Sequence, residues 1–235
     1  MDIIQTAMAT ANMNRWNIAM IVLGHHAHLP STRPTNSSSL NQKAPMSHPR
    51  ILLISLGNPA PYLNTLHSAG HHALTALRPL LGPSQPPFAS ERHASKSALA
   101  STGPHYALLQ SPSVMNISGR WVSRAYRDLQ SRWTTPASTH SPDAASPPAT
   151  AQSPPPPPLS LLLVHDDLEE DLGVVKLRKW TSSHRGHNGV KSVNASLRPA
   201  EFPGAKWARV SIGIGRPAAR EKADVSDYVL REMTA

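Results

Sequence analysis

"LLLVHDDLEED", residues 161–171, runs four apolar residues directly into His165, and five of the next six side chains are carboxylates. A short apolar run without polar alternation reads as a strand buried on both faces. Such a strand does not end in so much charge without a reason. Three readings are open: a cation site, the edge of a catalytic centre, or a solvated turn. Hard cations favour carboxylates, so Asp166, Asp167, Glu169, Glu170 and Asp171 are candidates for magnesium. Five adjacent acids on one turn cannot all converge on one ion, which counts against that reading.

Working outward, the same kind of run recurs. "ILLISLGNP", residues 51–59, is a buried strand stopped by Gly57-Asn58-Pro59. "SAGHHALTALRPLL" (68–81) has apolar residues at helical spacing and ends at Gly82-Pro83. A Pro/Ser-rich connection leads to a second strand, "YALLQSP" (106–112), and then to an amphipathic helix carrying Val122, Ala125, Tyr126, Leu129 and Trp133. After the opening stretch come an amphipathic strand "GVVKLRKW" (173–180), a loop "TSSHRGHNG" (181–189) and a helix "VKSVNASLR" (190–198). A last strand, "ARVSIGIGRP" (208–217), precedes "VSDYVLREM" (225–233), which starts a helix expected to be cut short at Ala235. Apolar strands alternating with helices predict an α/β fold: a single domain with a twisted sheet covered on both faces.

Two segments do not fit that domain. Residues 134–158 hold nine prolines and no large apolar side chain, so they are expected to be a disordered insertion; polyproline-binding domains are a possible partner class there. Residues 1–50 contain one acid, Asp2, with scattered Lys and Arg and a Ser/Thr/Asn/Pro-rich part. That composition suits a mitochondrial transit peptide, a disordered extension, or a reading frame that truly starts at Met46. The domain is therefore assigned to residues 51–235.

Composition narrows the chemistry. No cysteine is present, which excludes disulfides and thiolate metal sites. The apolar run Ile18–Leu23 is far too short to cross a bilayer, so no membrane partner is expected. The formal charge of +9 favours a polyanionic partner, nucleic acid first. G-x-S-x-G, the P-loop, G-x-G-x-x-G and H-E-x-x-H are all absent.

Polar clusters sit at or beyond the ends of the predicted strands: Asn58, Met115-Asn116, His165-Asp166 and His187-Asn188, with His67 nine residues after Asn58. In open α/β sheets that is where ligand sites collect. Histidine, aspartate and three asparagines suit hydrolysis without metal. A neutral imidazole takes a proton from water, a carboxylate fixes its tautomer, and amides hold a carbonyl and its developing oxyanion. An amidase or peptidase would use the same set.

Five ordered segments carry a more specific resemblance: "SLGNPAPYLNTLHSAG" (55–70), "SPSVMNISG" (111–119), "LLLVHDDLEEDLGVVKLRK" (161–179), "HRGHNGVKSV" (184–193) and "RVSIGIGRP" with "VSDYVL" (209–230). In these the chain resembles the bacterial-type peptidyl-tRNA hydrolases, as a fungal or mitochondrial-like member. The resemblance implies a single α/β domain with a mixed sheet and cleavage of the ester joining a peptide to the terminal ribose of tRNA. It implies His67 as general base and Asp166 as the carboxylate orienting it. Asn58, Asn116 and Asn188 would hold peptide and water, Tyr62 and Met115 would line the groove, and His187 would shape the wall beside Asn188. No cofactor or metal is implied, and the partner is tRNA, met by a monomer. Lys176, Arg178, Lys179 and Arg185 are then the candidate phosphate contacts, and the four acids other than Asp166 are expected to form a solvated turn. The chain departs from the pattern at Thr65-Leu66-His67-Ser68, where the family has Thr-Arg-His-Asn, in a loop one residue shorter before Tyr62, in "TSSHR", and in its shorter end. A non-catalytic RNA-binding protein on the same scaffold is the alternative from another class.

Overall fold

The computed structural model describes residues 51–134, 158–218 and 221–233. The proposed insertion and the extension at 1–50 lie outside the described residues, apart from the first and last positions of the insertion. β1 (Ile51–Ser55) is the middle of a seven-stranded sheet. The other strands are β2 (Ala89–His93), β3 (Lys96–Thr102), β4 (Tyr106–Gln110), β5 (Ser160–Asp167), β6 (Val175–Lys179) and β7 (Trp207–Gly213). Their order is β2-β3-β4-β1-β5-β7-β6. The four inner strands β4, β1, β5 and β7 run parallel, while β2, β3 and β6 run antiparallel to their neighbours. The sheet is mixed, as expected.

Unbroken apolar runs in β1 and β5 follow from helices on both faces. Leu52, Ile54, Leu161 and Leu163 pack against Trp121, Val122, Tyr126 and Leu129 of α2 (Ser118–Thr134) and Val190 and Val193 of α3 (Asn188–Ser196). α1 (Ala69–Leu77) appears on the far side, where Ile51, Leu53, Leu162 and Val164 meet its Ala69, Leu74 and Leu77, with Val229 of α4 (Lys222–Val229). Alternation along the strands therefore assigns each side chain to one of two cores. The parity extends past the apolar part. Asp166 shares a face with Leu162 and Val164, the α1 side, whereas His165 and Asp167 share the α3 side with Leu161 and Leu163.

Two elements differ from the sequence reading. The connection before β4 contains the β2–β3 hairpin, paired from Ala89↔Ala100 to His93↔Lys96. Its two-residue turn, Ala94-Ser95, has φ of 47° and 69°. Turns of this hand are ordinarily marked by Asn or Gly, and neither is present to announce it. At the other end, α4 stops at Val229, and the chain returns in extended form. Leu66 donates to the Arg231 carbonyl (3.0 Å), Met233 donates to that of Asn64 (2.7 Å), and Thr65 bridges Glu232. The expected helix is present but starts earlier and ends at Val229, and a short backbone clasp on the turn that carries His67 follows it.

Gly70, in the first turn of α1, lets that helix lie directly on the sheet. A Cβ there would sit 2.6 Å from the Leu56 carbonyl oxygen and 2.8 Å from that of Val164. Both obstacles are backbone and cannot swing aside. Gly70→Val is expected to lower stability by about 1–3 kcal/mol, read as a lower thermal midpoint; an unchanged midpoint would show that α1 can lift without cost.

Candidate active site

His67 lies in the 3-10 turn Leu66–Ser68 immediately before α1, and Asp166 lies near the end of β5. The parallel pairing of β1 with β5 and the packing of α1 on the same face bring them together across 99 positions. His67 Nδ1 is 2.8 Å from Asp166 Oδ2. The second carboxylate oxygen, Oδ1, is 2.9 Å from His187 Nε2.

The tautomers follow from the remaining partners. His187 caps α3: its Nδ1 accepts from the backbone N–H of Gly189 (3.1 Å) and Val190 (3.3 Å). That nitrogen carries no proton, so Nε2–H is the donor to Asp166. Asp166 is acceptor-only when ionised, so His67 Nδ1–H donates as well and leaves Nε2 with a lone pair. His165 Nδ1 sits 2.7 Å from the backbone carbonyl of Asp166 and must donate to it. The rings of His67, His187 and His165 follow one another at centroid spacings of 5.1 and 5.0 Å.

Asp166 is 2% exposed. Burial alone would raise its pKa, but the neighbouring His187 and His67, charge and hydrogen bonds together, hold the carboxyl well below the usual carboxylate range. It is an ionised hydrogen-bond hub. His67 Nδ1, His187 Nε2 and the Asp166 carboxylate also form the one His/Asp/Glu group among the described residues with metal-ligand spacing. In the state described, the protons of the two imidazoles occupy the positions a cation would take.

These residues open onto a cleft of about 820 Å³. Asn58, Met115, Asn116 and Asn188 line it with His67, Asp166 and His187. Asn58 Oδ1 accepts from the Met115 backbone N–H at 2.9 Å, which fixes the amide and leaves its Nδ2 end as the donor toward a ligand. Val225, Ser226, Val229 and Leu230, on and just after α4, complete the wall.

A peptidyl-tRNA hydrolase of Anaeromyxobacter sp. (strain K) is 35% identical to this chain over 181 residues, 76% of either sequence. The chain belongs to the peptidyl-tRNA hydrolase family. A sequence model described as "Peptidyl-tRNA hydrolase" matches residues 146–235. A probable peptidyl-tRNA hydrolase of Schizosaccharomyces pombe is 47% identical over 74 residues, 32% of this chain and 34% of the relative. A solved variant of the Acinetobacter baumannii peptidyl-tRNA hydrolase shares the fold, with TM-score 0.52 and 24% identity over 82% of this chain and 80% of that one.

Within this family member, two groups of expected residues sit differently. Tyr62 is 46% exposed and is not among the residues lining the cleft. Its carbonyl accepts the hydroxyls of Thr65 and Ser68, and that local turn leaves the ring outside. The acids after Asp166 divide: Glu169 and Asp171 are exposed in the turn, as expected, whereas Asp167 and Glu170 are drawn into ion pairs. Asp167 is buried and accepts from Arg178 and Arg185, Glu170 accepts from Lys176, Arg178 and Arg185, and Glu169 pairs with Arg216. The hydrogen bonds from Lys176, Arg185 and Arg178 hold the Glu170 carboxyl down at about 2. Of the carboxylates proposed for magnesium, Asp167 and Glu170 converge, but on the guanidinium groups of Arg178 and Arg185, while Asp166 is held by histidines. Three of the four phosphate candidates thus already have anionic partners, while Lys179 falls on the opposite face of β6 and does not line the cleft.

Arg209 was not singled out from sequence, although a lone arginine inside the "ARVSIGIG" run was a visible signal. It is 1% exposed on β7, at the cleft floor, and its guanidinium holds the carbonyls of Ser182 (2.5 Å) and Ser183 (3.3 Å). It anchors the loop leading to His187.

Two buried histidines make acid stability predictable. Burial, then the neighbouring His72, lower the pKa of His71 to about 4; burial, then His187, lower that of His165 to about 3. Both are neutral in the folded state, whereas an unfolded histidine protonates near its model value of 6.5. Their contribution is complete above that value and declines as pH falls toward 4. Each is expected to remove about 1.4 kcal/mol per pH unit within that window. Urea unfolding at pH 7 and 5 should show the decline, reduced in His71→Gln; a pH-independent free energy would contradict it.

Proposed function

We propose that this chain cleaves the ester between a peptide and the 3′-terminal ribose of tRNA, with His67 as the base that activates water. The observation carrying this reading is the 2.8 Å contact between His67 Nδ1 and the ionised, buried Asp166, which directs the unprotonated Nε2 to the chemistry. Water gives a proton to Nε2 as its oxygen attacks the ester carbonyl. Asp166 stabilises the imidazolium without taking the proton. The tetrahedral oxyanion is met by amide donors drawn from Asn58, Asn116 and Asn188. Collapse breaks the bond to the ribose oxygen, which takes the proton back from His67, so one water yields a tRNA 3′ hydroxyl and a peptide carboxylic acid, which then loses its proton to solvent. His187 holds the other oxygen of Asp166 and thereby fixes the carboxylate plane against His67. All of these residues come from one copy of the chain, so a monomer suffices.

The cationic end of the cleft is assigned to the tRNA backbone. Arg178 and Arg185 line it, with Asp167 and Glu170 holding their guanidinium groups in place, and Arg209 and Lys222 also line the cleft. A phosphate arriving there exchanges partners within a preformed network rather than ordering free side chains. Retention of the complete His67–Asp166 pair supports an enzyme over a non-catalytic RNA-binding protein on this scaffold.

An N-blocked aminoacyl-tRNA is the test substrate. His67→Ala is expected to abolish ester cleavage, and Asp166→Asn to reduce kcat by about 10²–10⁴; wild-type turnover by the His67 variant would refute the mechanism. If three phosphates are engaged, kcat/KM should fall about 40-fold between 50 and 200 mM salt. Removing one contact with Arg185→Ala should reduce the logarithmic salt slope by roughly one; an unaltered slope would place the tRNA elsewhere.

A further inference from the structure

Beside the large cleft is a second depression of about 200 Å³, and Asn58 belongs to the walls of both. Its sides are Pro59, Leu63, Leu99 and Pro112, and its polar lining includes Ser90, Ser97, His71, Gln110 and Ser111. No Lys, Arg, Asp or Glu lines it, whereas the large cleft has Arg178, Arg185, Arg209 and Lys222. Pockets that take whole small-molecule ligands measure about 300–1,000 Å³, so the space suits a fragment such as one side chain.

We propose that this depression is a subsite for an uncharged side chain of the peptide carried by the substrate. The proposal rests on the esterase reading above. A peptidyl-tRNA is a polyanion on one side of the scissile ester and a peptide on the other. Phosphates require the cationic end of the cleft, so the peptide must leave the ester in another direction. Asn58, whose amide is aimed by Met115, stands where the two spaces join.

The polar groups of the depression separate into those already satisfied and one that is not. Ser90 and Ser97 bond each other through their hydroxyls at 2.6 Å. Gln110 Nε2 donates to the His71 carbonyl (3.2 Å) and Thr75 Oγ1 (2.9 Å). His71 Nδ1 is 2.8 Å from Ser55 Oγ, and its ring also bonds the Ser111 backbone. The Ser111 hydroxyl, buried, has no hydrogen-bond partner. Leaving such a group unpaired costs about 1–3 kcal/mol, so the wall at Ser111 carries an unmet polar group beneath its surface. His71 also fixes the floor, because its ring fills the space beside Gly57: a Cβ there would lie 2.4 Å from the ring. Kept neutral by burial, that ring adds no charge near pH 7.

Leu99 and Leu63 give the side chain its apolar contact. Leu99 is 44% exposed, an apolar residue on β3 that packs into neither core cluster. Leu177, also 44% exposed, lies on β6 and lines neither space, and serves as the control.

The test compares N-acetyl-leucyl-tRNA with N-acetyl-glycyl-tRNA, both built on the same tRNA and both assayed with the full chain. Since each ratio of kcat/KM comes from one preparation, the fraction of folded protein cancels. The native chain is expected to prefer the leucyl ester by about tenfold or more. Leu99→Glu should bring that ratio close to one, and Leu177→Glu should leave it unchanged. An unchanged ratio in Leu99→Glu, or an equal fall in Leu177→Glu, overturns the subsite. Absence of cleavage of either ester by the native chain overturns the esterase reading itself, and the subsite with it; cleavage of both without preference overturns the subsite alone.

Discussion

A carboxylate buried between two imidazoles is the constraint on which the site depends. Asp166 is almost wholly buried, and an ion in that position is tolerated only when its oxygens are hydrogen-bonded. His67 takes one oxygen and His187 takes the other. Each imidazole is held in turn by backbone: His67 by a turn that the residues after α4 clasp, His187 by the first amides of α3. The geometry at one carboxylate therefore reports the placement of a strand end, two helix starts and the tail of the chain. The same arrangement explains how His67 acquires a defined tautomer without itself being deeply buried.

Strand alternation separates two electrostatic environments that adjoin in sequence. Asp166 faces α1 and meets histidines; Asp167, one residue on, faces α3 and meets arginines. A one-residue slip of β5 would exchange these partners and destroy both environments. The seven-residue register with β7 and the five-residue register with β1 oppose such a slip. Function at this edge is accordingly secured by the core, through hydrophobic residues that never touch a substrate.

Much of the fold was legible because physical periodicity was strong. Unbroken apolar runs at Ile51–Leu56 and Leu161–Val164 announced strands covered on both faces, and the spacing of Val122, Ala125, Tyr126 and Leu129 announced α2. The β2–β3 hairpin was not legible, since its alternation is carried by alanine and serine and its turn by Ala94-Ser95. The clasp formed by residues 231–233 was equally hidden: its bonds are all backbone, and "REM" extends a helical pattern as naturally as it breaks one. Among the candidate site residues, His67, Asp166 and the three asparagines, singled out by chemistry and motif, all line the one cleft. Tyr62 was misplaced because a turn's side-chain direction depends on hydroxyls three and six residues away. Arg209 was overlooked because a charge inside an apolar strand has no meaning until its partners are known.

By itself, the sequence determined the class of fold, the positions of the strand ends and the inventory of groups able to do hydrolysis, because these depend on local periodicity and on residue chemistry. Local pattern did not determine which histidine would meet Asp166; the family resemblance alone implied His67, and nothing in the sequence placed His187 on the second oxygen. His165 is adjacent in the chain yet points to the other face of the sheet, while His67 and His187 arrive from distant loops. Nor did it determine that Asp167 and Glu170 would restrain arginines rather than face water. Those outcomes were decided by tertiary structure, because the pairing of a charge is set by which surfaces the packed sheet and helices bring within about 3 Å, a distance that sequence separation does not encode.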